Sequence, residues 1–208
     1  EIMLRSEVSK KIYVALSPLF QNIPGGLLHT NIAVCTLFGA VSGSSLSTAA
    51  AVGSVAYPEM TERGYDKKMV VGSLAGGGTL GLLIPPSLSL LIYGALTETS
   101  IGQLFLAGIV PGVLFAIMFM IYIYFKCMRQ PPLAPTDDTV FKFTKIIIDI
   151  LSIWPFLIVV FAIMGSITFG IATPTEAAGV GVIATIILGK LWGSLTFRKL
   201  VEAIFSAT

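Results

Sequence analysis

"GGGTLGLLIPPS", Gly76–Ser87, lies inside Met69–Thr97, a stretch without a charged residue that is long enough to cross a membrane. It carries four glycines and two adjacent prolines. Gly and Pro are the poorest helix formers, and lipid offers no partner to an unpaired backbone N–H or C=O. A break at that depth must be covered by protein or line a water-filled cavity. Met69–Tyr93 as an unbroken helix spans about 37 Å, one crossing. Pro85 removes a backbone donor and pushes Ile84 away from helical geometry, and Pro86 does the same to Pro85. The stretch predicts two half-helices with an unwound link around Gly81–Ser87. A simple proline kink is the alternative, which Pro-Pro with Gly76, Gly77, Gly78 and Gly81 disfavours.

The rest of the chain places this segment in a membrane. Of its 208 residues 55% are hydrophobic and 12% charged, with a mean hydropathy of +0.90. A soluble domain of this size carries roughly twice that charge. Runs without Asp, Glu, Lys or Arg cover Ile12–Pro58, Met69–Thr97, Thr99–Phe125, Ile150–Thr175 and Ala177–Gly189. The composition predicts an all-α polytopic membrane protein. A net charge of +2 gives no reason to expect nucleic acid as a partner. Cys35 and Cys127 fit no metal spacing, and the pair does not suggest a structural disulfide. The chain begins at Glu1 without Met, which reads as a piece of a longer polypeptide.

All 13 basic residues fall in four clusters: Arg5, Lys10, Lys11; Arg63, Lys67, Lys68; Lys126, Arg129, Lys142, Lys145; and Lys190, Arg198, Lys199. Each gap between clusters is long enough for a path out and back, so every cluster can lie on one face, which the positive-inside rule makes cytoplasmic. The opposite face receives short links near Glu98–Gly102 and Ile171–Thr175. In "ATPTEAA", Ala172–Ala178, Thr173, Pro174 and Glu176 fit a helix start: N-cap, first-position proline and capping-box partner. Capping is favoured for Glu176 over a coupling role, and Asp149 reads as a solvated interfacial acid. Leu4, Val8, Ile12, Leu16, Leu19 and Phe20 form an apolar stripe opposite Arg5, Ser9, Lys10, Tyr13 and Ser17. That is an amphipathic helix suited to the membrane surface. Leu195–Phe205 is a shorter candidate of the same kind.

A second weak place lies in Leu37–Met60, whose middle is Ser42-Gly43-Ser44-Ser45. Two full crossings joined by an outside loop are one reading. A re-entrant hairpin whose Ser-Gly tip stops inside the membrane is the other, favoured by the absence of charge from Ile12 to Pro58. Close packing through Gly39, Ala49, Ala50 and Gly53 is compatible with either. A hairpin tip beside a broken helix supplies free carbonyls for a cation and helix N-termini for an anion. Ser42, Ser44, Ser45, Thr48, Thr79 and Ser87 add hydroxyl oxygens, which suit a hard monovalent cation such as Na⁺. The metal half-site, mostly backbone oxygens, is assigned to Ser42, Gly43, Ser44, Gly81, Leu82 and Ile84. Substrate contacts are assigned to Ser44, Ser45, Pro85, Pro86 and Ser87. An intramembrane serine protease would need a base for its serine; His29, near "PGGLLHTN", is the single histidine and is expected near the interface, hydrogen-bonded. On physics alone, a channel or a structural membrane subunit remains the rival reading.

"SGSSLSTAAAVGSVAYPEMTERGYDKKM", "GSLAGGGTLGLLIPPSLSLLIYGALTETSIGQLFLAGIVPGVL" and "GIATPTEAAGVGV" together strongly resemble the large membrane subunit of tripartite ATP-independent periplasmic (TRAP) transporters. The resemblance implies a bacterial or archaeal inner-membrane protein, not an enzyme. It implies sodium-driven import of small organic acids, with Na⁺ as coupling ion and no other cofactor. An extracytoplasmic binding protein, a small membrane subunit and membrane lipid are the implied partners. It also implies an elevator built from two inverted repeats, of which this chain carries the first. In that scheme 1–20 is a scaffold arm and 21–127 half of the transport domain, with hairpin 24–57, broken helix 69–93 and helix 103–125. Residues 128–145 form a cytoplasmic loop, and 146–208 scaffold helices and the start of a further segment.

Overall fold

The computed structural model describes residues 2–135 and 151–207, and these are helical with short connections and no strand. The helices are α1 (Ile2–Arg5), α2 (Val8–Phe20), α3 (Leu27–Ser42), α4 (Ser45–Glu62), α5 (Lys67–Leu83), α6 (Leu88–Thr97), α7 (Ile101–Arg129), α8 (Trp154–Thr168), α9 (Pro174–Leu191) and α10 (Phe197–Ala207). A single 3₁₀ turn, Pro131–Leu133, follows α7. Among the described residues three stretches are long and apolar enough to cross a membrane: Lys67–Thr97 taken through its break, Ile101–Arg129 and Pro174–Leu191. Leu27–Ser42 and Trp154–Thr168 are shorter apolar helices. The side chain of Leu4, the cluster residues Lys142 and Lys145, and Asp149 lie outside the described residues.

The core forms where α5 wedges between the two arms of the hairpin α3–α4. Small residues make that approach possible. A Cβ built on Gly77 would lie 3.0 Å from Cys35 Cβ, and one on Gly78 would lie 2.8 Å from Ala49 Cβ. One on Gly39 would meet the Gly81 Cα at 2.8 Å. Deeper in the wedge, the fully buried Asn31 joins all three helices: its amide donates to Ser73 Oγ at 2.8 Å and to Met60 Sδ at 3.3 Å. The glycines of the opening stretch are therefore packing residues within a continuous helix rather than part of the unwound link. Helix α5 runs on to Leu83, with Ile84 N donating to Leu80 O at 2.8 Å, and the break is confined to residues 84–87. The reason is local: proline excludes the helical region only for the residue before it, and Ile84 is accordingly extended at ψ 122°.

Two other expectations are revised. The arm is not one helix: Glu7, at φ 60°, separates α1 from α2. Nor is its second face polar, since Ser9 and Tyr13 are buried along with Val8, Ile12 and Leu16, while Val14 is 55% exposed. Helix α2 packs on both α3 and α4, so burial extends beyond a single stripe. Helix α4 continues through Pro58 to Glu62, and α7 is longer at both ends than Gln103–Phe125. The start of α9 follows the sequence: Thr173 Oγ1 accepts from Glu176 N, and Glu176 Oε2 accepts from Thr173 N at 2.8 Å, a complete capping box.

Candidate functional site at the hairpin tip

The hairpin turns at Gly43, whose φ of 58° is left-handed and favours glycine. Ser44 is extended and caps α4, its Oγ accepting from Ser47 N at 3.4 Å. The tip is held by a small hydroxyl network. Thr48, fully buried, donates through Oγ1 to Ser44 O at 2.8 Å, and Ser42 Oγ lies 2.5 Å from Thr48 Oγ1. Ser44 N donates to Ser42 Oγ at 3.4 Å.

The broken helix meets this tip. Leu88 N donates to Gly43 O at 3.4 Å, and a Cβ on Gly43 would lie 2.9 Å from Pro86 O. A Cβ on Gly81 would lie 2.6 Å from Thr48 Oγ1 and 2.8 Å from Ser44 O. Ser87 is 2% exposed and caps α6, accepting from Leu90 N at 3.2 Å. The Pro85–Pro86 peptide is cis. Helix α7 leaves room for the link: a Cβ on Gly108 would approach Leu83 O at 3.1 Å, and one on Gly112 would approach Ile84 Cγ1 at 2.6 Å.

Four helix ends thus converge without a charged side chain. The N-termini of α4 and α6, capped by Ser44 and Ser87, carry positive dipole ends; the C-termini of α3 and α5 carry negative ones. The carbonyls of Gly81 and Leu82 would ordinarily accept from residues 85 and 86, both prolines without an N–H. Carbonyl and hydroxyl oxygens of this kind fit a hard monovalent cation, and the capped N-termini fit a carboxylate. Among the described residues no three His, Cys, Asp or Glu side chains converge. The donors on offer are neutral oxygens.

Of the residues singled out in the sequence, Ser42, Gly43, Ser44, Thr48, Gly81, Pro86 and Ser87 come together here. Ser45 is half-buried on the first turn of α4, where its carbonyl would meet a Cβ on Gly78 at 3.2 Å. Pro85 is buried in the link. Leu82 is 41% exposed, and the Ile84 side chain is turned toward α7. Thr79 faces away, its hydroxyl donating to Gly76 O at 2.6 Å. His29 is buried against Phe20, with Nε2 2.9 Å from Pro24 O. The sequence names Thr48 only as one of six hydroxyls; its central position, and the clearance given by Gly108 and Gly112, were not read from sequence. The i, i+4 spacing of Ser44 and Thr48 was the available signal for the first.

A hairpin and a broken helix thus meet through uncharged backbone ends within an all-α polytopic membrane protein. The whole chain, residues 1–208, matches the family model described as "Tripartite ATP-independent periplasmic transporter, DctM component". The chain belongs to this family. It is 37% identical over 189 residues to the ectoine TRAP transporter large permease protein TeaC of Halomonas elongata, covering 90% of this chain and 43% of that protein. Identity to the C4-dicarboxylate TRAP transporter large permease protein DctM of Pseudomonas aeruginosa is 37% over 185 residues, 87% of this chain and 42% of the relative. For the sialic acid TRAP transporter large permease protein SiaM of Vibrio cholerae it is 33% over 205 residues, 98% and 47%. The chain spans less than half the length of these relatives.

Proposed function

We propose that this chain forms part of the large membrane subunit of a sodium-driven, binding-protein-dependent importer of small organic acids in a bacterial or archaeal inner membrane. The convergence of two capped helix N-termini and two helix C-termini at Gly43–Ser44 and residues 84–87 carries the reading. It offers one half of a cation site and one half of a carboxylate site without a fixed charge. A neutral site is suited to co-transport: cation and carboxylate compensate each other's charge, so the loaded site is cheaper to move through lipid than either ion alone.

Sodium is held by oxygens of Ser42, Gly43, Ser44, Gly81, Leu82 and Ile84, and the substrate carboxylate by Ser44, Ser45, Pro85, Pro86 and Ser87. The hairpin, broken helix and α7 move as one half of an elevator against a scaffold that includes α8 and α9. The partners are an extracytoplasmic binding protein, a small membrane subunit and lipid. The basic clusters face the cytoplasm, and the protein carries out no chemical step. The names of the relatives, which cover ectoine, C4-dicarboxylate and sialic acid transport, support a carboxylate-bearing substrate.

The test is uptake by proteoliposomes holding the full-length large subunit, its small subunit and a loaded binding protein. Uptake should require an inward sodium gradient and collapse when sodium is equilibrated. Uptake that follows the substrate gradient alone, with or without sodium, would identify a channel instead.

A further inference from the structure

Two breaks bracket α2, and they are built differently. On the hairpin side, residues 21–26 are packed from three elements. A Cβ on Gly26 would lie 2.6 Å from the Tyr65 hydroxyl, to which Leu27 N donates at 3.2 Å. A Cβ on Gly25 would lie 2.6 Å from Ile123 Cγ2 of α7. The His29 ring stacks on Phe20 with centroids 6.0 Å apart, and its Nε2 meets Pro24 O. Beyond this bend Val8, Ile12 and Tyr13, each at most 1% exposed, seal α2 against the hairpin.

On the other side the break is Ser6–Glu7, and polar contacts fasten it to the α9–α10 turn. Ser6 O accepts from Ser194 N at 2.9 Å, and a Cβ on Gly193 would lie 2.6 Å from that same oxygen. Arg5 pairs with Glu202 at 3.0 Å and Glu7 with Lys199 at 3.4 Å, with side chains 31–55% exposed. Lys11, one turn into α2, donates to Trp192 O and sits 5.7 Å above the Trp192 ring. The exposed Lys11 contact is one of those that contribute little and are screened by salt, whereas the buried apolar seam of α2 on the hairpin resists separation.

We propose that α2 is part of the same rigid body as the hairpin, and that this body turns about Ser6–Glu7 while α1 stays clamped to the α9–α10 turn. The pivot divides the arm at residue 7, in place of an arm that is scaffold throughout. It rests on the elevator reading above. The contact of Lys11 with Trp192 crosses the moving boundary and must open; the contact of Phe20 with His29 lies within one body and stays closed.

The test uses full-length transporter with Cys35→Ala and Cys127→Ala, assayed for sodium-driven uptake with its partners. Two cysteine pairs are introduced separately, Phe20→Cys with His29→Cys and Lys11→Cys with Trp192→Cys, and each is bridged by a reducible bifunctional thiol reagent. Uptake before bridging and after reduction shows that each variant is folded. The expected result is that the first bridge leaves at least half of the uptake, while the second lowers it more than tenfold, reversibly. Loss of uptake on bridging Phe20 to His29 would overturn the pivot, because the bend at 21–26 would then be the moving joint, and the elevator reading would stand. Unchanged uptake with both bridges would overturn the pivot and the elevator reading together, since nothing would then move between α2 and α9.

Discussion

Gly81→Ala is the sharpest perturbation of the candidate site. The added Cβ would lie 2.6 Å from Thr48 Oγ1, 2.8 Å from Ser44 O and 3.1 Å from Ser44 C. Two of those three atoms are backbone at the hairpin tip, so no side-chain rotation relieves the contact. Overpacking of this kind costs about 1–3 kcal/mol. The relief must come from the tip, because Gly39 closes the other side, where its own Cβ would meet Gly81 Cα at 2.8 Å. If the tip supplies sodium ligands, the same energy appears in ion binding, a weakening of roughly 5- to 150-fold at 1.4 kcal/mol per factor of ten. The assay is uptake against sodium concentration by the full-length protein, and the expected result is a rise in half-saturating sodium within that range. Gly72→Ala on the same helix is the control. No atom lies within 4 Å of its Cβ, so sodium dependence should not change, and helix propensity should add up to about 1 kcal/mol of stability. Equal half-saturation in both variants, with both proteins folded, would refute the assignment of ion ligands to this tip.

Three further outcomes are expected. Ser44→Ala removes one hydroxyl and should weaken sodium dependence only a fewfold, whereas Gly43→Val combines a φ of 58° with a Cβ 2.9 Å from Pro86 O and should abolish uptake. Full-length protein in intact cells carrying a single cysteine at Arg63, Arg129 or Arg198 should resist an impermeant thiol reagent, and one at Thr99 should react; labelling at Arg63 would break the proposed topology. The hydrogen bond and charge of Lys199 hold the Glu7 carboxyl below its ordinary pKa of 4.5. This contribution to the clamp is fully present above that value and is lost as pH falls below it. Bridging of a Ser6→Cys, Ser194→Cys pair should therefore decline on acidification toward pH 4 in the parent and change less in Glu7→Gln; an identical pH profile would exclude the pair.

Much of this was legible in the sequence because a membrane leaves few options. Charge-free length set the number of apolar segments, and the four Lys/Arg clusters set the proposed sidedness. Ser-Gly at residues 42–45 and Pro-Pro at 85–86 marked two interruptions, since Gly tolerates a left-handed turn and Pro supplies no N–H. The capping box at Thr173–Glu176 was readable because its hydrogen bonds lie within four residues. Contacts between distant segments were not readable in the same way. The glycines of Gly76–Gly81 looked like breakers; only the wedge of α5 between α3 and α4 shows that they stay helical, because Gly77, Gly78 and Gly81 each face a neighbour too close for a Cβ. Ser9 and Tyr13 looked solvent-facing on a helical wheel, which assumes one packed face; α2 has two. Thr48 became central only when Gly81 closed over it. Local chemistry fixes where a chain bends or stops, while the pairing of helices depends on shape complementarity between residues far apart in sequence, and that is decided only when the tertiary structure brings them together.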